Sequence, residues 1–550
     1  MNEEQVAGIV ERQREHFRSN ATLPLEARRQ ALRALLDAVR AHEDDIVAAL
    51  AADLGKSRDE SYMCEIGLSL SEIRHQLSHV ARWMRPRRHT TDLTNAVASS
   101  RTVRVPYGVT LVMAPWNYPF LLTLEPLAGA LAAGNTVVVK PSAYSPASSA
   151  VLRAICEDAF RPELVSVVEG GRAENAALLD QHWDYVFFTG SVAVGRLVME
   201  RAAANLTPVT LELGGKSPCI VDATANLRVA AARIAFGKWL NVGQTCVAPD
   251  YLLVDRHVKD ELLHLLTAEV VRQYGERPLE NPAYGKMVNR KHFDRVRGLI
   301  DPARVVLGGA ADEEALKIEP TIMDKATPRD PVMGEEVFGP VLPVIAFDTL
   351  DEAIDLVRSR PTPLALYLFS QDRATQRRVM REVPFGGGCV NDTIMHLATS
   401  HMGFGGMGAS GMGSYHGRKS LRPSRTRRAS SGRPPSSTSP CATSPTPAGS
   451  QNSSARFSTR DAPAGPSATP RPSRRSDMAS TGRRSCAAPP ARLLSQRRAF
   501  QRDAFLSGKA PPRRPAQNPL PVECKSVRET KGTRVSPLGT RQERPPYPRR

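Results

Sequence analysis

Apolar positions in the first eighty residues recur at helical spacing. Leu32, Leu35, Leu36 and Val39 share one face, with Ile46 and Leu50 further on, which predicts helices over 3–20, 25–53 and 60–83, the last ending near Pro86. A polar stretch, 87–100, leads into β-type runs at 101–105 and 109–113. Short Val-, Leu- and Phe-rich runs at 136–139, 164–168 and 186–188 then alternate with helical patterns at 146–159, 172–180 and 192–204. The rhythm returns at 218–221, 251–254, 305–307, 341–347 and 364–369, with helices over 226–240, 257–273 and 350–359. Strands separated by helices of this length predict parallel βαβ units. They fall into two successive α/β domains that meet near 205–215, and no repeat of 20–50 residues is present.

Length and charge sharpen this picture. The 550 residues suffice for several domains with large cores. The net charge of +18 is unevenly placed: residues 421–550 hold 27 Lys+Arg against 6 Asp+Glu, leaving 47 basic and 50 acidic residues in 1–420. The first 420 residues are thus a near-neutral globular protein. The remainder, with 21 of the 44 prolines, 24 Arg and only 3 Lys, lacks a periodic apolar pattern, and disorder is expected there. Its charge would support nonspecific, salt-sensitive contact with nucleic acid, without the aromatic residues or module that specific recognition needs.

None of the eight cysteines forms a CxxC pair or sits at zinc-ligand spacing to histidine, which predicts free thiols in a reducing compartment and no metal. The start, Met1-Asn-Glu-Glu-Gln5, has no apolar core of a signal peptide. The uncharged run Val105–Leu124 is interrupted by Pro106, Pro115, Asn117 and Pro119, so no membrane span and a cytoplasmic location are expected.

Two motifs mislead. Gly403-Phe-Gly405-Gly-Met-Gly408 matches GxGxxG but lacks a strand before it, a helix after it and a following acidic residue, and is read as a Gly-rich loop. Leu213-Gly-Gly-Lys-Ser217 resembles the end of a P-loop, yet Thr210 stands where the first glycine belongs.

Three segments carry chemistry. Ala114-Pro-Trp-Asn-Tyr-Pro-Phe120 follows a predicted strand, where ligands sit in open α/β sheets; Asn117 is either a turn residue or an amide donor for an oxyanion. Leu211-Glu-Leu-Gly-Gly-Lys-Ser217 sets Glu212 among apolar residues, as a general base of raised pKa or a satisfied interdomain carboxylate. Gly243-Gln-Thr-Cys246-Val-Ala-Pro249 places Cys246 in a loop, where a thiol can meet substrate, although a lone cysteine is more often packing.

Together, and in order over roughly residues 10–420, these segments resemble the hallmarks of the aldehyde dehydrogenase superfamily. Lys140 in Val137-Val-Val-Lys-Pro-Ser142, Phe188-Thr-Gly-Ser191 with Gly195, Glu336-Val-Phe-Gly-Pro340 and Gly403-Phe-Gly-Gly406 join them. Gly411-Met-Gly-Ser-Tyr-His-Gly417 is most similar to the class-3-like branch, whose members oxidise aliphatic or aromatic aldehydes with NAD or NADP, commonly as dimers. The resemblance implies a Rossmann-like NAD(P)-binding domain (1–82 and 104–211), an α/β catalytic domain (212–395), a small β bridging or oligomerisation arm (83–103 and 396–420) and the disordered tail (421–550). It implies Cys246 as nucleophile, Asn117 with the Cys246 backbone N–H as oxyanion donors, and Glu212 as the base that hydrolyses a thioester. For the cofactor it implies Pro115, Trp116, Lys140, Ser142, Gly190, Ser191, Gly195, Glu336 and Phe338. Ala143 replaces a glutamate that many relatives carry, so NADP should be accepted beside NAD. Tyr118, Trp239, Asn241 and Ile394 are candidates for a substrate funnel or for ordinary packing.

The pattern breaks after Ser420. Relatives continue with a segment of the type Phe-Glu-Thr-Phe-Ser-His; here Leu421-Arg-Pro-Ser-Arg-Thr426 follows. Codons able to encode these residues, read two bases later, give Ser-Thr-Phe-Ser-His, which points to a frameshift near residue 420. A catalytically impaired relic and a basic-tailed nucleic-acid-binding protein are therefore the alternatives to an active enzyme.

Overall fold

The computed structural model describes residues 1–92 and 98–420 and the backbone of 425–432. All lie in one compact unit, Met1–Pro445; a second unit, Thr446–Arg550, falls outside the described residues.

The chain opens with helices α1 (Glu3–Arg18), α2 (Leu25–Ala41) and α3 (Glu43–Leu54). The single helix expected over 25–53 is broken at His42, whose ring bridges Asp45 at 2.8 Å and Asp158 at 2.7 Å. Next, α4 (Arg58–Ser61), a π-turn (Tyr62–Ile66) and α5 (Gly67–Met84) run on as one rod. Then come β1 (Arg87–His89), β2 (Ser99–Pro106), β3 (Val109–Met113), α6 (Leu121–Ala133), β4 (Thr136–Lys140), α7 (Pro146–Ala159), β5 (Val165–Val167), α8 (Arg172–Leu179), β6 (Tyr185–Gly190), α9 (Val192–Ala204) and β7 (Val209–Leu213). The second half holds β8 (Pro218–Val221), α10 (Leu227–Trp239), β9 (Tyr251–Asp255), α11 (Lys259–Tyr274), α12 (Arg290–Arg297), β10 (Val305–Leu307) and a small hairpin, β11 (Ala311–Asp312) with β12 (Lys317–Ile318). It ends with β13 (Thr321–Met323), β14 (Val341–Phe347), α13 (Leu350–Arg358), β15 (Ala365–Phe369), α14 (Arg373–Glu382), β16 (Gly387–Val390), β17 (Gly411–Met412) and β18 (Arg425–Gly432).

Two large sheets carry the fold. The first has the order β17-β7-β6-β3-β4-β5, parallel apart from β17; the second, β10-β13-β14-β9-β8-β15-β16, is parallel apart from β10. Strands β3, β4 and β9 are buried along nearly their whole length, as a parallel sheet covered on both faces requires. The Rossmann-like and α/β domains expected from sequence are these two sheets with their helices. Strand β7 stays in the first sheet through Leu213 and the second begins at Pro218, so Glu212 stands at the junction.

The small arm is a three-stranded sheet, β1-β2-β18. Residues 425–432, inside the segment read from sequence as tail, pair antiparallel with β2 from Arg425↔Pro106 to Gly432↔Ser99. Strand pairing needs only backbone N–H and C=O groups, so an open edge can take up a sequence without apolar alternation. The rest of that tail lies outside the described residues.

Candidate active site

The loop bearing Cys246 is held under backbone strain. Helix α10 ends at Trp239, whose indole N–H donates to Pro340 O at 2.7 Å. Asn241 and Val242 then adopt φ of 53° and 56°, and a β-branched residue in the left-handed region persists only where its surroundings impose it. Gly243 follows at φ 70°, and a Cβ there would overlap Gly339 O. Gln244 closes the loop: its Nε2 donates to Asn241 O (3.1 Å) and Lys286 O (3.0 Å), and its Oε1 accepts from Val288 N (3.1 Å). Cys246 is half-buried while the residues on either side of it are buried. Burial, and then the nearby Glu336 and Glu212, push its thiol well up, against the pull of the Cys246 and Val247 N–H groups.

Asn117 is tied to this loop. It lies in the turn between β3 and α6, buried, with Nδ2 donating to Gln244 O at 2.9 Å. Its neighbour Tyr118 shares a 2.7 Å hydrogen bond with Thr245 Oγ1. One amide hydrogen of Asn117 is thus spent on the Cys246 loop and the other is left for a ligand.

Glu212 sits near the end of β7, between Thr189 of β6 and Gly411 of β17. It is buried, and the Gly406 backbone N–H lies beside its carboxyl without forming a close hydrogen bond. Desolvation therefore raises its pKa well above the ordinary carboxylate value. The supposed GxGxxG stretch lies against it, since a Cβ on Gly405 would come within 3.1 Å of Glu212 Oε1. That stretch is a loop, as read.

The remaining candidates lie at or just after the C-terminal ends of β3, β4 and β6, at the start of α9, or in the segment that leads into β14. Trp116 and Phe338 are half-buried with ring centroids 5.3 Å apart, and Pro115 precedes Trp116 in the turn after β3. Phe338 has φ 45°. Glu336 packs where a Cβ on Gly214 would overlap it; desolvation, then Asp250, raises its pKa to about 8. Gly190 ends β6, and Ser191 caps α9, accepting from Val194 N at 3.4 Å. Gly195, whose Cβ would overlap Leu213, lets that helix approach the sheet. This exposed helix start suits a pyrophosphate. Lys140 donates to Pro141 O and Gly170 O, both at 2.7 Å, which leaves one N–H for a ribose hydroxyl; burial lowers its pKa to about 8. Ser142 Oγ accepts from Tyr144 N at 3.2 Å. These residues fit a dinucleotide. Lys216 is no phosphate ligand: it pairs with the buried Asp250 at 2.5 Å and donates to Val332 O and Glu335 O.

Of the funnel candidates, Trp239 and Ile394 are buried in the core, and Tyr118 and Asn241 tie the Asn117 turn to the Cys246 loop. Sequence reading missed Lys56, Glu65, Gln244 and Asp250. Only Gln244 and Asp250 carried a signal, being adjacent to the Cys246 loop.

The family model described as "Aldehyde dehydrogenase family" matches residues 1–425. The chain belongs to the aldehyde dehydrogenase family.

Similar proteins place it in the class 3 branch. The 4,4'-diaponeurosporen-aldehyde dehydrogenase of Staphylococcus aureus is 46% identical over 407 residues, 74% of this chain and 89% of the relative. An aldehyde dehydrogenase family 3 member of Arabidopsis thaliana is 44% identical over 422 residues, 76% of this chain and 87% of the relative. The solved Staphylococcus aureus AldH in its substrate bound state superposes with a TM-score of 0.79 at 42% identity, covering 80% of this chain and 96% of that one. This aldehyde dehydrogenase oxidises an aldehyde, with NAD or NADP as the family's cofactor. Among the described residues no helix is long and apolar enough to cross a membrane, and no group of three or more His, Cys, Asp or Glu is placed to hold a metal.

Proposed function

We propose that this aldehyde dehydrogenase converts an aldehyde to the carboxylic acid through a covalent cysteine intermediate and hydrolysis. The observation that carries the reading is the junction itself. A half-buried thiol stands on a strained loop, an amide donor is hydrogen-bonded to that loop, and a buried carboxyl, Glu212, stands at the junction of the two sheets, close enough to act on the thiol after burial and Glu336.

Cys246 Sγ, as thiolate, adds to the aldehyde carbon, and the carbonyl electron pair moves to oxygen. The Asn117 amide and the Cys246 backbone N–H hold that oxyanion, each such donor being worth about 2.7–4 kcal/mol of barrier. NAD or NADP, when bound, supplies the acceptor for the hydride that leaves the thiohemiacetal carbon. Pro115, Trp116, Lys140, Ser142, Gly190, Ser191, Gly195, Glu336 and Phe338 would hold it. Loss of the hydride leaves a thioester on Sγ. Glu212 takes a proton from water, whose oxygen adds to the thioester carbon; the C–S bond breaks, releasing the acid and the thiol. A base at this position favours hydrolysis over transfer to another thiol.

The expected substrates are medium or long aliphatic and aromatic aldehydes, and the expected assembly is a homodimer. Reduced-cofactor formation with decanal and benzaldehyde tests the reading. Activity that vanishes in Cys246→Ser supports it, and activity that survives in that variant overturns it.

A further inference from the structure

Helix α6 begins without a cap of its own: Phe120 stands at the N-cap position and offers no side-chain acceptor for the first N–H groups. These groups are satisfied from 55 residues away, since Glu65 Oε2 accepts from Phe120 N at 3.0 Å and Leu121 N at 2.9 Å. A carboxylate there meets both the orphan donors and the positive end of the helix. Glu65 Oε1 accepts from Lys56 Nζ at 2.6 Å, and both side chains are 0% exposed. Lys56 Nζ also donates to Asn117 O at 2.9 Å, and that carbonyl accepts from Asn241 Nδ2 at 2.8 Å. The same ammonium lies 4.1 Å from the centroid of the Tyr118 ring.

A buried ion pair is a poor source of stability, because desolvating two charges offsets most of their attraction. This pair spends its remaining hydrogen-bonding capacity on backbone groups of one short turn. Glu65 reaches that turn from the π-turn Tyr62–Ile66, which interrupts an otherwise α-helical rod, and such insertions frequently mark functional positions. Apolar residues would fill the same space, but they would not fix the carbonyl at 117 and the N–H groups at 120 and 121 together.

We propose that Lys56 and Glu65 are a positioning pair for the oxyanion donor, clamping the turn that aims the Asn117 amide toward Cys246. The proposal rests on the reading of Cys246 as nucleophile and Asn117 as oxyanion donor. Neither Lys56 nor Glu65 touches the reacting atoms; they act through Asn117.

The test is a double-mutant comparison of kcat in the full-length chain, with Asn117 intact and with Asn117→Ala. Glu65→Gln, isosteric and without the charge, should lower kcat at least tenfold when Asn117 is present, because a displacement of about 1 Å at a reacting group can cost roughly a hundredfold. In the Asn117→Ala background the same change should have less than a twofold effect, with KM for the cofactor unchanged throughout. Lys56→Met/Glu65→Leu keeps the interior filled but leaves the Phe120 and Leu121 N–H groups without an acceptor; it should melt below wild type while still folded at assay temperature, and show the same dependence on Asn117. Equal losses in both backgrounds, or no loss in either, would overturn the positioning role. Asn117→Ala retaining wild-type kcat would instead sink the oxyanion reading on which it rests.

Discussion

The side-chain amide of Asn117 donates to the backbone carbonyl of Gln244 at 2.9 Å, two residues before Cys246. The amide and the sulfur thus belong to one rigid assembly even though 129 positions separate them in sequence. On the proposed reading of Asn117 as oxyanion donor, the amide is held in place before substrate arrives, and preorganisation of this kind is what makes such a donor effective. Asn117→Ala should therefore lower kcat by roughly 10²–10³. KM for the cofactor should barely change, and Cys246 should still react with iodoacetamide. A loss confined to KM would mean that Asn117 binds ground state and transition state alike.

Glu212 is buried, and desolvation outweighs the pull of the Gly406 N–H, which keeps its proton to a pH well above that of an ordinary carboxyl. The base form grows with pH, as does the thiolate of Cys246, whose pKa is also raised by burial. Turnover should rise from neutral into alkaline pH. In Glu212→Gln a single turnover of reduced cofactor should form at near wild-type yield while steady-state release of acid falls at least a hundredfold, a general base being worth about 10²–10⁴. Rapid-mixing absorbance at 340 nm separates the two phases. Steady-state and single-turnover rates that fall together would place Glu212 before acylation.

Much of this arrangement was legible in the chain. Helices 146–159 and 192–204 and strands 218–221, 305–307 and 341–347 fall where the apolar pattern puts them. Helix α6 was not legible because it is apolar on every face and contains Pro126, so it has no period to read. Helices α12 and α14 were hidden for the opposite reason: they are short and almost wholly polar. At the site, Cys246, Asn117 and Glu212 stood out because reactive groups in glycine- and proline-bounded or apolar segments are chemically conspicuous. Lys56, between the predicted helices 25–53 and 60–83, and Glu65, within the second, carry no motif that singles them out. Their meaning lies in a contact with a turn more than fifty positions downstream, which no local pattern encodes.

Glu336 has a pKa near 8 in the folded chain against an ordinary 4.5. The folded state therefore binds more protons than the unfolded one between these values, and stability falls as pH rises through that window. In Glu336→Gln this dependence disappears. The wild-type melting temperature should drop relative to the variant's as pH is raised from 5 to 9, with the two closest at pH 5. Parallel melting curves across that range would show that the carboxyl is not desolvated in solution.

Ala143 follows Lys140-Pro-Ser142 and is exposed, so no carboxylate at 143 repels a phosphate on the adenosine ribose. Both NAD and NADP should support turnover. Ala143→Glu sets a negative charge beside that position and should raise KM for NADP several-fold more than KM for NAD, an effect that weakens with added salt. Strict rejection of NADP by the active wild-type enzyme would mean that another group discriminates.

The basic segment bears on a last expectation. Every residue assigned to the chemistry or to the cofactor lies between 115 and 338, the Lys56–Glu65 pair precedes them, and the described backbone of 425–432 completes the three-stranded arm by pairing with β2. A chain ending at residue 432 keeps both. It should match the full-length enzyme in kcat and in KM for aldehyde within about twofold, while losing any retention on heparin that full-length protein shows at low salt, since that retention comes from counterion release by clustered arginines. A large fall in kcat on truncation would assign residues 433–550 a part in the catalytic fold. Retention on heparin that persists without them would move the basic surface into the globular unit, against the near-neutral charge of residues 1–420.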